Sequence, residues 1–143
     1  MPFHCKKEML NCFMSKRLSI PNLLELARQA FNAYIRERDH KLGCITCGAP
    51  VDDAGHYKPA GSYSAVRYDE QNVNGQCEYC NRHKHGNLIV YKDRLIERWG
   101  KSEYERIERD CRRSKKWDRD ELQFIIDHYK QKLKDLKNGT TSN

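Results

Sequence analysis

The sequence lacks a long apolar run: none approaches the ~20 residues that span a bilayer. Met1 to Lys16 lacks the apolar stretch of a secretory signal. The expectation is a soluble protein with no membrane partner, in a reducing cytoplasm. Apolar residues are also scarce, at 38% of 143. A core that small gains from a covalent or metal staple. Disulfides are not the expected staple, because they rarely persist in a reducing compartment. Internal repeats are absent, apart from two cysteine pairs. No recognisable base-reading module is present, so any nucleic-acid selectivity would rest on shape.

Charge is what the chain has in plenty. Lys and Arg number 27 against 20 acidic residues, a formal net charge of +7. That balance suits a polyanionic partner, since each phosphate neutralised releases condensed counterions. The densest basic stretch runs from Arg109 to Arg119 and holds Arg112, Arg113, Lys115 and Lys116 around Trp117. Two readings of it stay open: phosphate contacts with Trp117 stacked on an unpaired base, or a solvated loop with Trp117 in the core. Lys84 is a further candidate phosphate contact.

Periodicity divides the chain. Residues 1–18 are unpatterned, carry Cys5 and Cys12 as free thiols, and are expected to be disordered. Residues 19–40 read as a helix, capped by Ser19 with Pro21 in its first turn. Leu23, Ala27, Ala30, Phe31, Tyr34 and Ile35 form its packing face. Residues 41–88 lack helical spacing and are rich in glycine. Ser64 to Tyr68 reads as a short strand. Helices are expected over 88–99, over 101 to about 112 and over 119–137, the last opened by Asp118 and Glu121 as a capping box. Cys111 falls at the end of the middle helix. The last helix needs a partner for its apolar face, within the chain or in a second copy. Residues 19–137 therefore make one domain, and 138–143 a loose tail.

Cys44-x-x-Cys47 and Cys77-x-x-Cys80 are separated by 29 residues. A two-residue gap lets both thiolates of a pair reach one ion, and two pairs complete a tetrahedral sulfur site. Four soft thiolates select zinc, and a site with no open position is structural. Between and after the pairs lie Asp53, Gly55-His56-Tyr57, Asn72, Asn81 and His85. These are residue types that hydrolyse phosphodiesters: a histidine base, an asparagine to orient it, and oxygen donors for a hard cation.

This order resembles the HNH, or ββα-metal, nucleases and the phage resolvases of the endonuclease VII type. The resemblance implies an α+β fold, a zinc-bound ββα core flanked by helices. His56 falls at the position of the general base, Asn72 at the position that orients it, and Asn81 at the catalytic-metal position. His85 and Asp53 are candidate additional ligands to a Mg²⁺ or Mn²⁺ ion. The position before the base is usually an acidic or histidine ligand; here it is Gly55, which has no side chain.

The stretch from Phe31 to Asp39, the motif Cys44-Ile45-Thr46-Cys47-Gly48, Ala54 to Tyr57, Cys80-Asn81, Lys84 to Leu88, and Tyr129 to Lys137 narrow the match. Together they resemble the NinG, or Rap, recombination proteins of lambdoid phages. That resemblance implies a structure-selective endonuclease in the bacterial host's cytoplasm. It would cut branched DNA such as Holliday junctions and displacement loops. A homodimer would suit paired cuts on opposing strands. The same resemblance places a histidine where this chain carries Asn74. Two alternatives stay open: a zinc module that binds DNA without cutting it, and an HNH enzyme that nicks ordinary duplex.

Overall fold

The computed structural model describes residues 18–139. Cys5, Cys12, most of the N-terminal segment and residues 140–143 lie outside the described residues. In chain order the elements are α1 (Ile20–Asp39), β1 (Asp53–His56), a 3₁₀ turn (Ser64–Val66) and β2 (Val73–Gln76). A π-helical turn (Tyr79–His83) comes next, then α2 (Leu88–Trp99), α3 (Lys101–Asp110) and α4 (Arg119–Lys137). The architecture is α+β: helices around one two-stranded antiparallel sheet. None of the described helices is long and apolar enough to cross a membrane.

Local chemistry sets the helix ends. The Ser19 hydroxyl accepts the Asn22 N–H at 3.2 Å, and Pro21 sits where a missing N–H costs nothing. Asp118 and Glu121 form a reciprocal capping box at α4. Gly100, at φ 95°, breaks α2 from α3 in a conformation that a side chain resists.

Two apolar cores flank the sheet. Leu23, Ala27, Phe31 and Ile35 of α1 pack on Leu122, Ile126 and Tyr129 of α4, with Tyr68 and Val73 beneath. Each leucine, isoleucine, valine or phenylalanine among them contributes roughly 1.5–3 kcal/mol on burial. The apolar face of α4 is thus met within the chain. The second core joins Ile45 and Tyr57 to Tyr91, Leu95 and Ile107.

The segment 64–68 is not a strand. Val66 N–H bonds to the Tyr63 carbonyl and Arg67 N–H to Ser64, which closes a 3₁₀ turn. Val66 and Tyr68 are buried from that turn. The third helix also ends earlier than its sequence spacing suggests, at Asp110.

Polar clamps hold the hairpin against the helices. Buried Asp39, at the end of α1, accepts the Gly75 N–H at 2.7 Å and pairs with Arg38 and Arg98. Asn74 accepts from the Trp99 indole at 3.0 Å and donates to the Tyr91 hydroxyl at 3.1 Å. Arg106 forks onto Asp69 at 2.7 and 3.0 Å and braces the loop between the strands.

Candidate metal centre and histidine site

The cysteine pairs converge as their spacing requires. The Sγ atoms of Cys44, Cys47, Cys77 and Cys80 all lie within 4.8 Å of one another, and Cys47 and Cys77 are 3.6 Å apart. A zinc–sulfur bond of about 2.3 Å in a tetrahedron places sulfurs about 3.8 Å apart, so the set fits one zinc ion. It is the one such cluster of His, Cys, Asp and Glu side chains among the described residues.

The sulfurs are half prepared for ionisation. Burial raises the Cys44 thiol, but bonds from Thr46 and from backbone N–H groups of Cys77 and Cys47 outweigh it and bring it down to about 6. The Ala49 backbone favours the Cys47 thiolate, yet burial and the neighbouring sulfurs push it up to about 12. Sulfurs this close resist sharing several negative charges, and a divalent cation is what lets all four ionise together.

The cysteine knuckle also shapes the turn that leads into α2. After the π turn, His85, Gly86 and Asn87 take left-handed conformations, at φ 51°, 87° and 51°. Two non-glycine residues in that region are uncommon, and bonds from the Gly86 N–H to the Cys80 and Asn81 carbonyls stabilise the turn. His85 is exposed and does not lie one α-helical turn beyond Asn81. Asn81 instead donates to Asp53 Oδ2 at 3.0 Å, and Arg82 reaches the same carboxylate at 3.3 Å.

The hairpin register pairs Asp53 with Gln76, Gly55 with Asn74 and His56 with Val73. Strand alternation turns Asp53 and Gly55 to one face, Ala54 and His56 to the other. The contacts agree. Ala54 packs on the α1–α4 core, while the Tyr91 hydroxyl donates to the Gly55 carbonyl at 2.7 Å. Asp53 and Asn81 therefore come together, and His56 lies across the sheet from them.

His56 is half-buried at the end of β1. Its Nε2 lies 2.9 Å from the Arg67 carbonyl. A carbonyl only accepts, so the Nε2–H tautomer is fixed and Nδ1 carries the basic lone pair. Burial lowers the affinity of the ring for a proton, outweighing the Arg67 carbonyl, which favours the charged form. The Asn72 side-chain hydrogen bonds go elsewhere than the ring. Its carbonyl oxygen accepts the Lys58 N–H at 2.8 Å, and its amide donates to the Lys58 and Val66 carbonyls. It organises the turn after β1, and the Arg67 backbone orients His56.

Gly55 has a packing reason. A Cβ there would lie 2.0 Å from Gln76 Oε1. The Gln76 side chain fills that space, donating to the Gly86 carbonyl at 2.9 Å and to Thr46 Oγ1 at 3.2 Å. The roles of Arg67 and Gln76 left no mark in spacing: one acts through its backbone, the other through a space that glycine vacates.

Of the basic candidates, Arg112, Arg113 and Lys116 are exposed on the α3–α4 loop. Lys115 is half-buried, paired with Glu121 and stacked over the Trp117 ring at 4.9 Å. Trp117 packs edge-on against Tyr68 at 5.0 Å and donates its indole N–H to the Ser64 carbonyl. Its packed reading is the one realised. Lys84 is exposed and lies over the Tyr79 ring at 5.3 Å.

A family profile described as Bacteriophage Lambda NinG protein matches residues 15–139. Over 119 residues, 81% of the chain, it is 45% identical to "Protein ninG" of Salmonella phage P22, covering 58% of that protein. Over the same length and share of the chain it is 44% identical to "Protein ninG" of Escherichia phage 933W, covering 59%, and 43% identical to that of Escherichia phage lambda, covering 58%. The chain thus matches these relatives over less than two thirds of their length. No solved structure gives a significant match. With its zinc-fitted cysteines and hairpin inside the matched region, the chain belongs to the NinG family of lambdoid phage proteins.

Proposed function

We propose that this chain is the zinc-organised, HNH-like core of a metal-dependent endonuclease that cuts branched DNA. The observation that carries the reading is His56. It ends β1 between the two cysteine pairs, is disfavoured from protonating by burial, and has Nε2 committed to the Arg67 carbonyl. A neutral ring held so offers Nδ1 as a base for water near neutral pH. Zinc on Cys44, Cys47, Cys77 and Cys80 is structural, since no ligand position is left open. Asp53 and Asn81 supply oxygen donors that suit a Mg²⁺ or Mn²⁺ ion, which keeps several waters and takes the rest of its shell from phosphate. Such an ion, when bound, stabilises charge on the leaving oxygen. The exposed Arg112, Arg113, Lys116 and Lys84 hold the backbone of the DNA, and a symmetric pair of copies would place cuts on opposing strands.

A second reading, a zinc module that binds DNA without cutting, is favoured by one observation. His56 and the Asp53–Asn81 pair sit on opposite faces of β1, about 10 Å apart along the strand. Incubating purified protein with a labelled four-way junction and a matched linear duplex, in Mg²⁺, in Mn²⁺ and in EDTA, separates the two. Metal-dependent cutting that prefers the junction is expected. Tight junction binding with no cutting in either metal would establish the second reading, and equal cutting of both substrates would mark a duplex-nicking enzyme.

A further inference from the structure

Among the described residues, two phenylalanine, tyrosine or tryptophan side chains are exposed: Tyr79 at 60% and Phe124 at 63%. Phe124 is stacked on His128, 5.1 Å away and inclined by 16°, and Asp120, Glu121 and Asp127 lie one turn from it along α4. That setting repels phosphate. Tyr79 has the opposite surroundings. It stands in the turn Tyr79–His83, followed by Lys84, and its ring meets His83 at 5.8 Å with a tilt of 32°. No hydrogen bond among the described residues uses its hydroxyl.

The charges around it are unevenly spent. Arg82 is held by Glu78 and Asp53, both at 3.3 Å. Lys84 has no acidic partner among the described residues, and its ammonium lies over the Tyr79 ring at 5.3 Å, within cation–π reach. The platform is also fixed in advance. Cys77 and Cys80 bracket Tyr79, the Asn81 N–H bonds to the Cys77 carbonyl at 3.0 Å, and the Lys84 N–H bonds to the Tyr79 carbonyl at 3.0 Å. A ring held by its backbone loses little freedom when it binds. An open aromatic face beside an uncommitted cation matches a nucleobase and its phosphate. In a duplex the base faces are covered by their neighbours, so such a ring takes a base where the strand is unpaired. Trp117, the aromatic of the densest basic stretch, is packed on Tyr68 and leaves this role unfilled.

We propose that Tyr79 stacks on an unpaired base of single-stranded DNA, while Lys84 swings from the ring onto a flanking phosphate. This deepens the DNA-binding part of the reading above and rests on that part alone; it needs no cutting.

The test probe is an oligothymidylate of about 16 nucleotides with one central 2-aminopurine, compared with a hairpin duplex and a four-way junction, all without added divalent metal. Stacking on an aromatic ring quenches 2-aminopurine, and a purely electrostatic contact does not. Wild type and Tyr79→Phe are expected to quench the probe and to bind it within about threefold of each other. Tyr79→Leu is expected to lose the quenching and to bind the single strand about tenfold more weakly, with hairpin affinity held within about twofold. Lys84→Gln should lower the slope of log affinity on log salt by about 0.7 on the single strand. Thermal melting and zinc content check each variant, and Tyr79→Gln serves if the leucine variant fails to fold. An equal loss on single strand and hairpin in a folded Tyr79 variant, an unquenched probe with wild type, or binding of the junction without the single strand would overturn the stacking site. Binding to none of the DNAs would remove the site and the DNA reading together. A wild type that quenches the probe but cuts no DNA in Mg²⁺ would end the nuclease reading and leave the stacking site standing.

Discussion

Adding one methyl group at Gly55 tests how tightly the hairpin is packed against the cysteine knuckle. The new Cβ would meet Gln76 Oε1 at 2.0 Å, Cδ at 2.7 Å and Cγ at 2.9 Å. Ordinary carbon contacts lie near 3.5–4.0 Å, so Gln76 would have to move. It is fully buried, and leaving its place breaks its bonds to Gly86 and Thr46. Two lost hydrogen bonds cost about 1 kcal/mol each, and overpacking adds roughly 1–3 kcal/mol. Gly55→Ala should therefore lose about 3–5 kcal/mol in zinc-saturated urea titrations. In a Gln76→Ala background the obstruction is gone, and the same substitution should cost less than about 1 kcal/mol, a coupling large enough to read in a double-mutant cycle. A Gly55→Ala protein as stable as wild type, or an equal penalty in both backgrounds, would refute the packing argument. The same clash explains why the residue before His56 carries no side-chain ligand.

The same contacts set the outcome of other perturbations. Chelation of zinc, or Cys77→Ser, should unfold the knuckle with loss of near-ultraviolet signal and bound metal, because zinc-site energy is folding energy in domains this small; retention of the native spectrum without metal would count against a structural zinc. Tyr91→Phe deletes a fully buried hydroxyl shared by the Gly55 carbonyl and Asn74, and should cost about 1–3 kcal/mol in urea titrations. An unchanged midpoint would show the hydroxyl to be dispensable. Burial holds the proton affinity of His56 below its ordinary value, so the unfolded chain takes a proton first, near pH 6.5. The contribution of the neutral ring to stability is complete above that pH and is lost as pH falls through the lower folded value. Wild type should thus lose more stability between pH 7.5 and 5 than His56→Gln does; parallel profiles would contradict the burial of the ring.

What the sequence made legible was chemistry with strict spacing. The two C-x-x-C pairs declared the metal site, because only a tight turn brings two thiolates to one ion. Ser19, and Asp118 with Glu121, declared helix starts, because caps act within three residues. The hairpin was harder to read. Val73-Asn74-Gly75-Gln76 is buried on both faces and largely polar, so it has no alternation; its amide side chains bond to Trp99, Tyr91, Thr46 and Gly86 from distant segments. Ser64 to Tyr68 carries strand-forming residues, but the described fold closes a 3₁₀ turn there. The left-handed run at 85–87 breaks the helical spacing that would align His85 with Asn81. Asn72 was visible as a candidate; that its amide serves the loop backbone rather than the ring depends on where Lys58 and Val66 lie.

The most direct test of the central claim is the single-turnover rate at which a saturated four-way junction is cut by wild type and by His56→Gln, with junction affinity measured alongside in EDTA. A base at His56 predicts a loss of at least ~100-fold in rate with affinity held within about threefold. Equal rates would remove His56 from the chemistry and with it the nuclease mechanism proposed for this fold.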